Sequence, residues 1–194
     1  LLRARVGHTM AAPFTAPKTV FNRPHSGRRN IAFVELSLDE VKAVKDHYGV
    51  TVNDVVMALC AGALRSFLER HHELPDTPLV AAVPVSVHGK SDRSGRNQTT
   101  WMFCRLQSPI TDPVQRLHQM AEATTAAKAH STELGPTLLQ DWTQFIGQYT
   151  MGAIKRLVPH VPRPASPPFN LILSNVPGPQ IPLYLARYRI EAVY

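Results

Sequence analysis

His71-His72-Glu73-Leu74-Pro75-Asp76 holds the residue types best suited to acid–base chemistry in this chain. An imidazole exchanges a proton near neutral pH, and it could take one from an attacking hydroxyl if its tautomer is fixed and its site is dry. The surrounding pattern offers neither condition. The pair follows a helical repeat that ends near Arg70 and precedes the strand-like Leu79-Val80-Ala81-Ala82-Val83. His71, His72 and Asp76 therefore read as a helix end followed by a Pro-containing polar turn.

Two further stretches place polar side chains where backbone groups need partners. Thr51 and Asp54 have capping-box spacing, and Val52, Val55, Val56, Leu59, Ala63 and Phe67 then recur at helical intervals. With Ala58, Ala61 and Gly62 leaving little polar face before Arg65, the helix is expected to be covered on most sides. Asn53 and Asp54 stand in its first turn, at the positive end of the dipole. Capping accounts for Asp54 but leaves Asn53 in need of a partner. The second stretch, Ser174-Asn175-Val176-Pro177-Gly178-Pro179, follows the apolar run Phe169-Asn170-Leu171-Ile172-Leu173. It reads as a strand ending in a type II turn, with Pro177 and Gly178 at the central positions and a positive φ at the glycine.

These residues resemble the bacterial wax ester synthase/diacylglycerol acyltransferase family. The resemblance is carried by Thr51-Val52-Asn53-Asp54-Val55-Val56, Pro84-Val85-Ser86-Val87, the stretch from Gly95 through Asn97 and Gln98, and Ser174-Asn175-Val176-Pro177-Gly178-Pro179. They occur in the family's order, across residues 19–194. The resemblance implies the C-terminal half of a two-domain, chloramphenicol acetyltransferase-like enzyme whose substrates meet in a tunnel between halves. It implies acyl-CoA as donor and diacylglycerol or a long-chain alcohol as acceptor, with no cofactor. The family's signature is H-H-x-x-x-D-G, whose second histidine is the general base. Here Thr77 replaces the glycine after His71, His72 and Asp76, so the stretch is a lookalike, the true signature is expected upstream, and this chain alone is expected to be inactive. Asn53, Asp54, Pro84, Ser86, Asn97, Gln98, Ser174, Asn175, Pro177 and Gly178 become tunnel-wall or bracing residues. An acyltransferase of the same fold with another acceptor, such as a polyketide alcohol or a carrier-bound substrate, is one alternative; a non-catalytic lipid-binding or interaction module is another.

The 194 residues, 44% of them hydrophobic, suffice for one sizeable core. Cys60 and Cys104 have no metal-ligand spacing and suggest a reducing, cytoplasmic compartment without a zinc site. Basic residues exceed acidic ones by seven, giving a net charge of +7. Without a nucleic-acid-binding motif, that excess suits coenzyme A phosphates, for which Lys90, Arg93 and Arg96 are the candidate contacts, or an anionic lipid surface. The longest apolar run stops at Arg65, short of the ~20 residues a membrane span needs, so contact with an inner membrane or lipid droplet would be peripheral. The first residues carry Arg3 and Arg5 without a secretory pattern, and both ends read as cuts in a longer polypeptide that contains the N-terminal half.

These segments require a set of positioning elements. Residues 1–30 read as an arm or interdomain linker and 31–194 as the domain. Ile31-Ala32-Phe33-Val34-Glu35-Leu36 is strand-like, and a capping box at Ser37 and Glu40 opens a helix closed by Gly49. The strand through Val87 contains Pro84, which predicts an edge, bulge or strand end. A polar loop over 88–98 leads to a strand over 99–106. Asp112-Pro113 starts a helix to about Ala129, and residues 138–157 repeat as a second long one. A proline-rich connector over 159–168 precedes the Asn170 strand, and 184–194 reads as a final strand. The expected fold class is α/β, a two-layer sandwich of a mixed sheet with packed helices.

Overall fold

The computed structural model describes residues 11, 14–24, 27–86, 99–133, 166–176, 178 and 181–190. Within them a 3-10 turn, Val20–Asn22, precedes helices α1 (Leu38–Tyr48) and α2 (Val52–Arg70). Strands β1 (Leu79–Ser86) and β2 (Thr99–Leu106) lead to helix α3 (Pro113–Glu133), then to β3 (Leu171–Ile172) and the short strands β4 (Tyr184–Leu185) and β5 (Tyr188–Arg189).

Local chemistry sets the helix ends. Ser37 Oγ accepts from the Glu40 amide at 3.4 Å, and Gly49 closes α1 at φ 65°, a left-handed angle that glycine adopts without a Cβ penalty. At α2 both halves of the Thr51/Asp54 capping box form. Asp112 Oδ1 accepts from the Gln115 amide at 2.7 Å and starts α3 ahead of Pro113.

The sheet runs β2-β1-β3. β1 pairs antiparallel with β2, from Leu79 opposite Leu106 to Ser86 opposite Thr99, and parallel with β3 through Ala81 and Ala82. It is therefore a mixed sheet in an α/β fold, as the sequence predicts. Alternation along the strands separates two faces. Leu79, Ala81, Val83, Met102, Cys104 and Leu106 join Met57, Ala61 and Leu68 of α2 and Leu117, Met120 and Ala127 of α3 in the main core. Val80 lies on the other face, where Ala11, Ala16, Phe103 and Phe169 cluster around it. The segment after residue 10 thus covers the second face, held by hydrogen bonds from the Ala11 amide to Phe103 and from the Ala16 amide to Pro167.

Pro84 sits where its missing donor is tolerated. Val80 and Ala82 direct their backbone groups toward β3, the last bond running from the Leu173 amide to the Ala82 carbonyl. Strand alternation turns the Pro84 nitrogen to the same side, past the end of β3, where β1 is an edge, one of the three settings its presence predicts; β1 itself continues to Ser86 opposite Thr99.

Some local expectations are corrected. Residues 31–36 form no strand: Ile31 is 78% and Val34 81% exposed, and no described strand pairs with them. β-propensity needs a ladder partner, which local sequence does not supply. The expected strand over 184–194 is instead a hairpin in its described part, because Ala186 turns the chain at φ 56° and β4 pairs back on β5. α2 leaves one stripe uncovered, where Leu59 is 46% and Phe67 38% exposed, while the sheet, α3 and α1 pack against its other sides. The expected helix over 138–157, the loop over 88–98 and residues 159–165 of the connector lie outside the described residues.

Candidate functional site

The first turn of α2 divides two polar side chains between two neighbours. Asp54, 3% exposed, points inward. Its Oδ2 accepts from the Thr51 amide at 2.9 Å and the Thr51 hydroxyl at 2.6 Å, while Oδ1 accepts from the Thr124 hydroxyl of α3. Three donors fix the carboxylate and tie the helix start to α3. Cys104 lies under this cluster. Burial first, then the negative charge of Asp54, pushes its thiol up to about 12, so it stays protonated and is no nucleophile at neutral pH. Burial also raises the Cys60 thiol.

Asn53, half-buried, faces the other way. Asn175 Nδ2 donates to its Oδ1 at 3.3 Å, across 122 residues of sequence. The sequence leaves both amides seeking partners and expects them to be buried against backbone. In the structure they pair with each other, Asn175 being exposed just past β3. Ser174 beside it is exposed too. The expected type II turn needs Pro177 and Pro179, which lie outside the described residues. A Cβ built on Gly178 meets nothing within 4 Å, so crowding does not demand glycine there.

His71 and His72 cap the C-terminus of α2. The His72 amide donates to the Glu69 carbonyl at 3.0 Å and the Glu73 amide to Leu68 at 2.9 Å, with His72 in the left-handed region at φ 54°. This is the Schellman arrangement, which satisfies carbonyls that the helix end would otherwise leave open. Both histidines and Asp76 are exposed, and the His71 ring lies 4.5 Å from that of Phe67. Pro84 and Ser86 belong to β1. Lys90, Arg93, Arg96, Asn97, Gln98 and Pro177 lie outside the described residues. Among the described residues no three His, Cys, Asp or Glu side chains group as a metal site, and no single helix is long and apolar enough to cross a membrane.

The sequence reading missed Asn170, a residue on which several segments converge. Its Oδ1 accepts from the Val80 amide at 2.8 Å, and its Nδ2 donates to the Pro17 carbonyl at 2.6 Å and to Asn22 Oδ1 at 2.8 Å. The signal was a lone amide inside an apolar strand run. Thr124 was missed likewise, a hydroxyl among the core-facing residues of α3.

Comparison with known proteins adds a consistent set of relatives. The description "WS/DGAT C-terminal domain" matches residues 96–194, and "Wax ester synthase/diacylglycerol acyltransferase catalytic domain" matches residues 1–56. A Mycobacterium tuberculosis protein (strain H37Rv) named "Putative diacyglycerol O-acyltransferase Rv1760" is 59% identical over all of this chain and 39% of its own length. Another from the same strain, "Probable diacyglycerol O-acyltransferase tgs2", is 38% identical over 95% of this chain and 40% of its own length. The solved structure of a wax ester synthase/diacylglycerol acyltransferase from Marinobacter aquaeolei VT8 superimposes with a TM-score of 0.69 at 30% identity, over 91% of this chain and 39% of that one. The chain thus spans about two fifths of the length of these relatives. Asn53 and Asp54 fall in the catalytic-domain match and Asn175 in the C-terminal match, so the Asn53–Asn175 bond joins the two. With motifs, sheet order and relatives all in agreement, the chain belongs to the wax ester synthase/diacylglycerol acyltransferase family.

Proposed function

We propose that this chain supplies tunnel wall and bracing in an O-acyltransferase that moves a long-chain fatty acyl group from acyl-CoA to the hydroxyl of a diacylglycerol or a long-chain alcohol. The observation that carries the reading is the Asn175–Asn53 hydrogen bond, which ties the strand end after β3 to the first turn of α2. In the reaction the acceptor hydroxyl gives its proton to a base as its oxygen bonds to the thioester carbonyl carbon. The carbon–sulfur bond then breaks, and the CoA sulfur takes up the proton as it leaves.

This chain's own part is positioning. The base belongs to the family's H-H-x-x-x-D-G signature, which the 194-residue sequence does not contain. His71 and His72 stand exposed at a helix end, where water competes for any proton they hold. Asp54, engaged by Thr51 and Thr124, sets the start of α2, and Asn53 then presents its amide to Asn175. Lys90, Arg93 and Arg96 have the charge to meet coenzyme A phosphates, and the net charge of +7 suits peripheral contact with anionic lipid on the cytoplasmic side.

The test is to give the complete polypeptide radiolabelled acyl-CoA with a panel of acceptors and identify the products. Labelled triacylglycerol or wax ester is expected. Label recovered only as free fatty acid, or bound lipid without turnover, would replace the enzyme reading with a hydrolase or a lipid-binding module.

A further inference from the structure

Arg65 of α2 and Arg116 of α3 bring two guanidinium groups to one cleft of about 430 Å³, whose walls include Gly62, Ser66 and Thr111. Both are held in place by the loop before α3. Arg65 Nη1 donates to the carbonyls of Ser108 at 3.1 Å and Pro109 at 2.6 Å. Arg116 Nη1 donates to those of Ile110 at 2.7 Å and Thr111 at 3.3 Å. Arg65 also pairs with the Glu69 carboxylate. Arg116 is less well matched, for its Nε is buried without a hydrogen-bond partner. Burial, then the charge of Arg65, lowers the Arg116 pKa against the opposing pull of Asp112. With an orphan buried N–H and a like-charged neighbour, the Arg116 guanidinium keeps unused donor capacity, although Asp112 lies near it and the Glu69 carboxylate also lines the cleft beside Arg65.

The space over Gly62 keeps this arrangement open. A Cβ there would stand 2.7 Å from Arg116 Nη2. On the other side of Arg116 an apolar pocket of about 230 Å³ is lined by Tyr48, Val55, Val114 and Leu117. The two spaces share Leu59 and Arg116. Leu59 is 46% and Val114 38% exposed, apolar area that a bound chain would take out of water.

We propose that this composite cleft binds a single-chain anionic amphiphile, its carboxylate or phosphate head on Arg65 and Arg116 and its chain along Leu59, Val55 and Val114. A guanidinium fork matches the paired oxygens of either head group, and the combined space is of the size that small-ligand sites occupy. The inference is independent of the acyl-transfer reading.

The test is calorimetric titration of the protein, below micelle-forming concentrations, with decyl phosphate, decanoate, decanol and inorganic phosphate. Decyl phosphate or decanoate should bind one to one, at least about tenfold more tightly than decanol or inorganic phosphate, and the tighter of the two identifies the head group. Gly62→Ala should weaken that binding about tenfold without lowering the melting temperature, because alanine favours the helix while its methyl displaces Arg116. Arg116→Gln should weaken it as much, and Leu59→Ser should weaken the amphiphile but not inorganic phosphate. Parental affinity in both Gly62→Ala and Arg116→Gln, or inorganic phosphate or decanol binding as tightly as the amphiphile, would overturn the proposal.

Discussion

Asn175 Nδ2 donates to Asn53 Oδ1 at 3.3 Å, joining the strand end that follows β3 to the first turn of α2. Neither residue is fully buried, so water can partly replace the bond when one partner is removed. Asn53→Ala and Asn175→Ala should each cost about 0.5–1.5 kcal/mol, and the double variant little more than either alone. A double-mutant cycle by denaturant unfolding checks this, and fully additive losses would show that the amides act separately.

Asp54 should matter more. Its carboxylate is buried and takes hydrogen bonds from Thr51 and Thr124, so Asp54→Ala leaves the Thr51 amide and hydroxyl without that acceptor and the Thr124 hydroxyl with only the Ala121 carbonyl. The expected cost is about 3 kcal/mol, against about 1 kcal/mol for Thr51→Ala, which removes the helix cap and one of the three donors but leaves the carboxylate held by the Thr51 amide and Thr124. Similar melting temperatures for the two variants would contradict the network.

The Cys104 thiol sets an alkaline limit. Its folded pKa, raised by burial and Asp54 from 9.0 to about 12, exceeds the unfolded value. The protonated thiol is therefore favoured by folding, a contribution complete below pH 9.0 and lost as the pH rises toward about 12. Over that window stability should fall by up to about 1.4 kcal/mol per pH unit from this group, and Cys104→Ala should flatten the slope. Iodoacetamide should label Cys104 only after unfolding; rapid labelling of Cys104 itself in a folded Cys60→Ala background at pH 8 would contradict its burial.

Asn170→Ala should detach the N-terminal segment. The change strands the Val80 amide and removes both bonds that hold Pro17 and Asn22. A loss of about 2–4 kcal/mol is expected, with faster proteolysis around residues 11–22. Unchanged cleavage there would mean that the bonds of Ala11, Ala16 and Asn22 to Phe103, Pro167 and Phe169, with the packing of Ala11 and Ala16, secure the segment without Asn170.

Legibility in the sequence followed the range of the interaction. Ser37, Thr51 and Asp112 act on amides three residues away, so the helix starts were readable from spacing alone. The α/β class followed from the order of strand-like and helical runs, and the edge at Pro84 from its missing donor, which is a local fact. Residues 31–36 misled because a strand exists only if a distant partner pairs with it. Asn53 and Asn175 could be singled out separately, but their meeting depends on β3 lying beside β1, which no local pattern encodes. The same holds for Asn170 with Pro17, and for Arg65 with Arg116.

The most direct test of the account compares acyl transfer by the 194-residue chain and by the complete polypeptide, each purified and given labelled acyl-CoA with diacylglycerol or a long-chain alcohol. The account predicts ester product from the complete polypeptide and none from the chain alone, with His71→Ala and His72→Ala in the complete polypeptide staying within a few-fold of the parent, since loss of a general base costs ~100-fold or more. Steady multiple turnover by the chain alone, or a ~100-fold loss in a folded His71→Ala or His72→Ala variant, would contradict it.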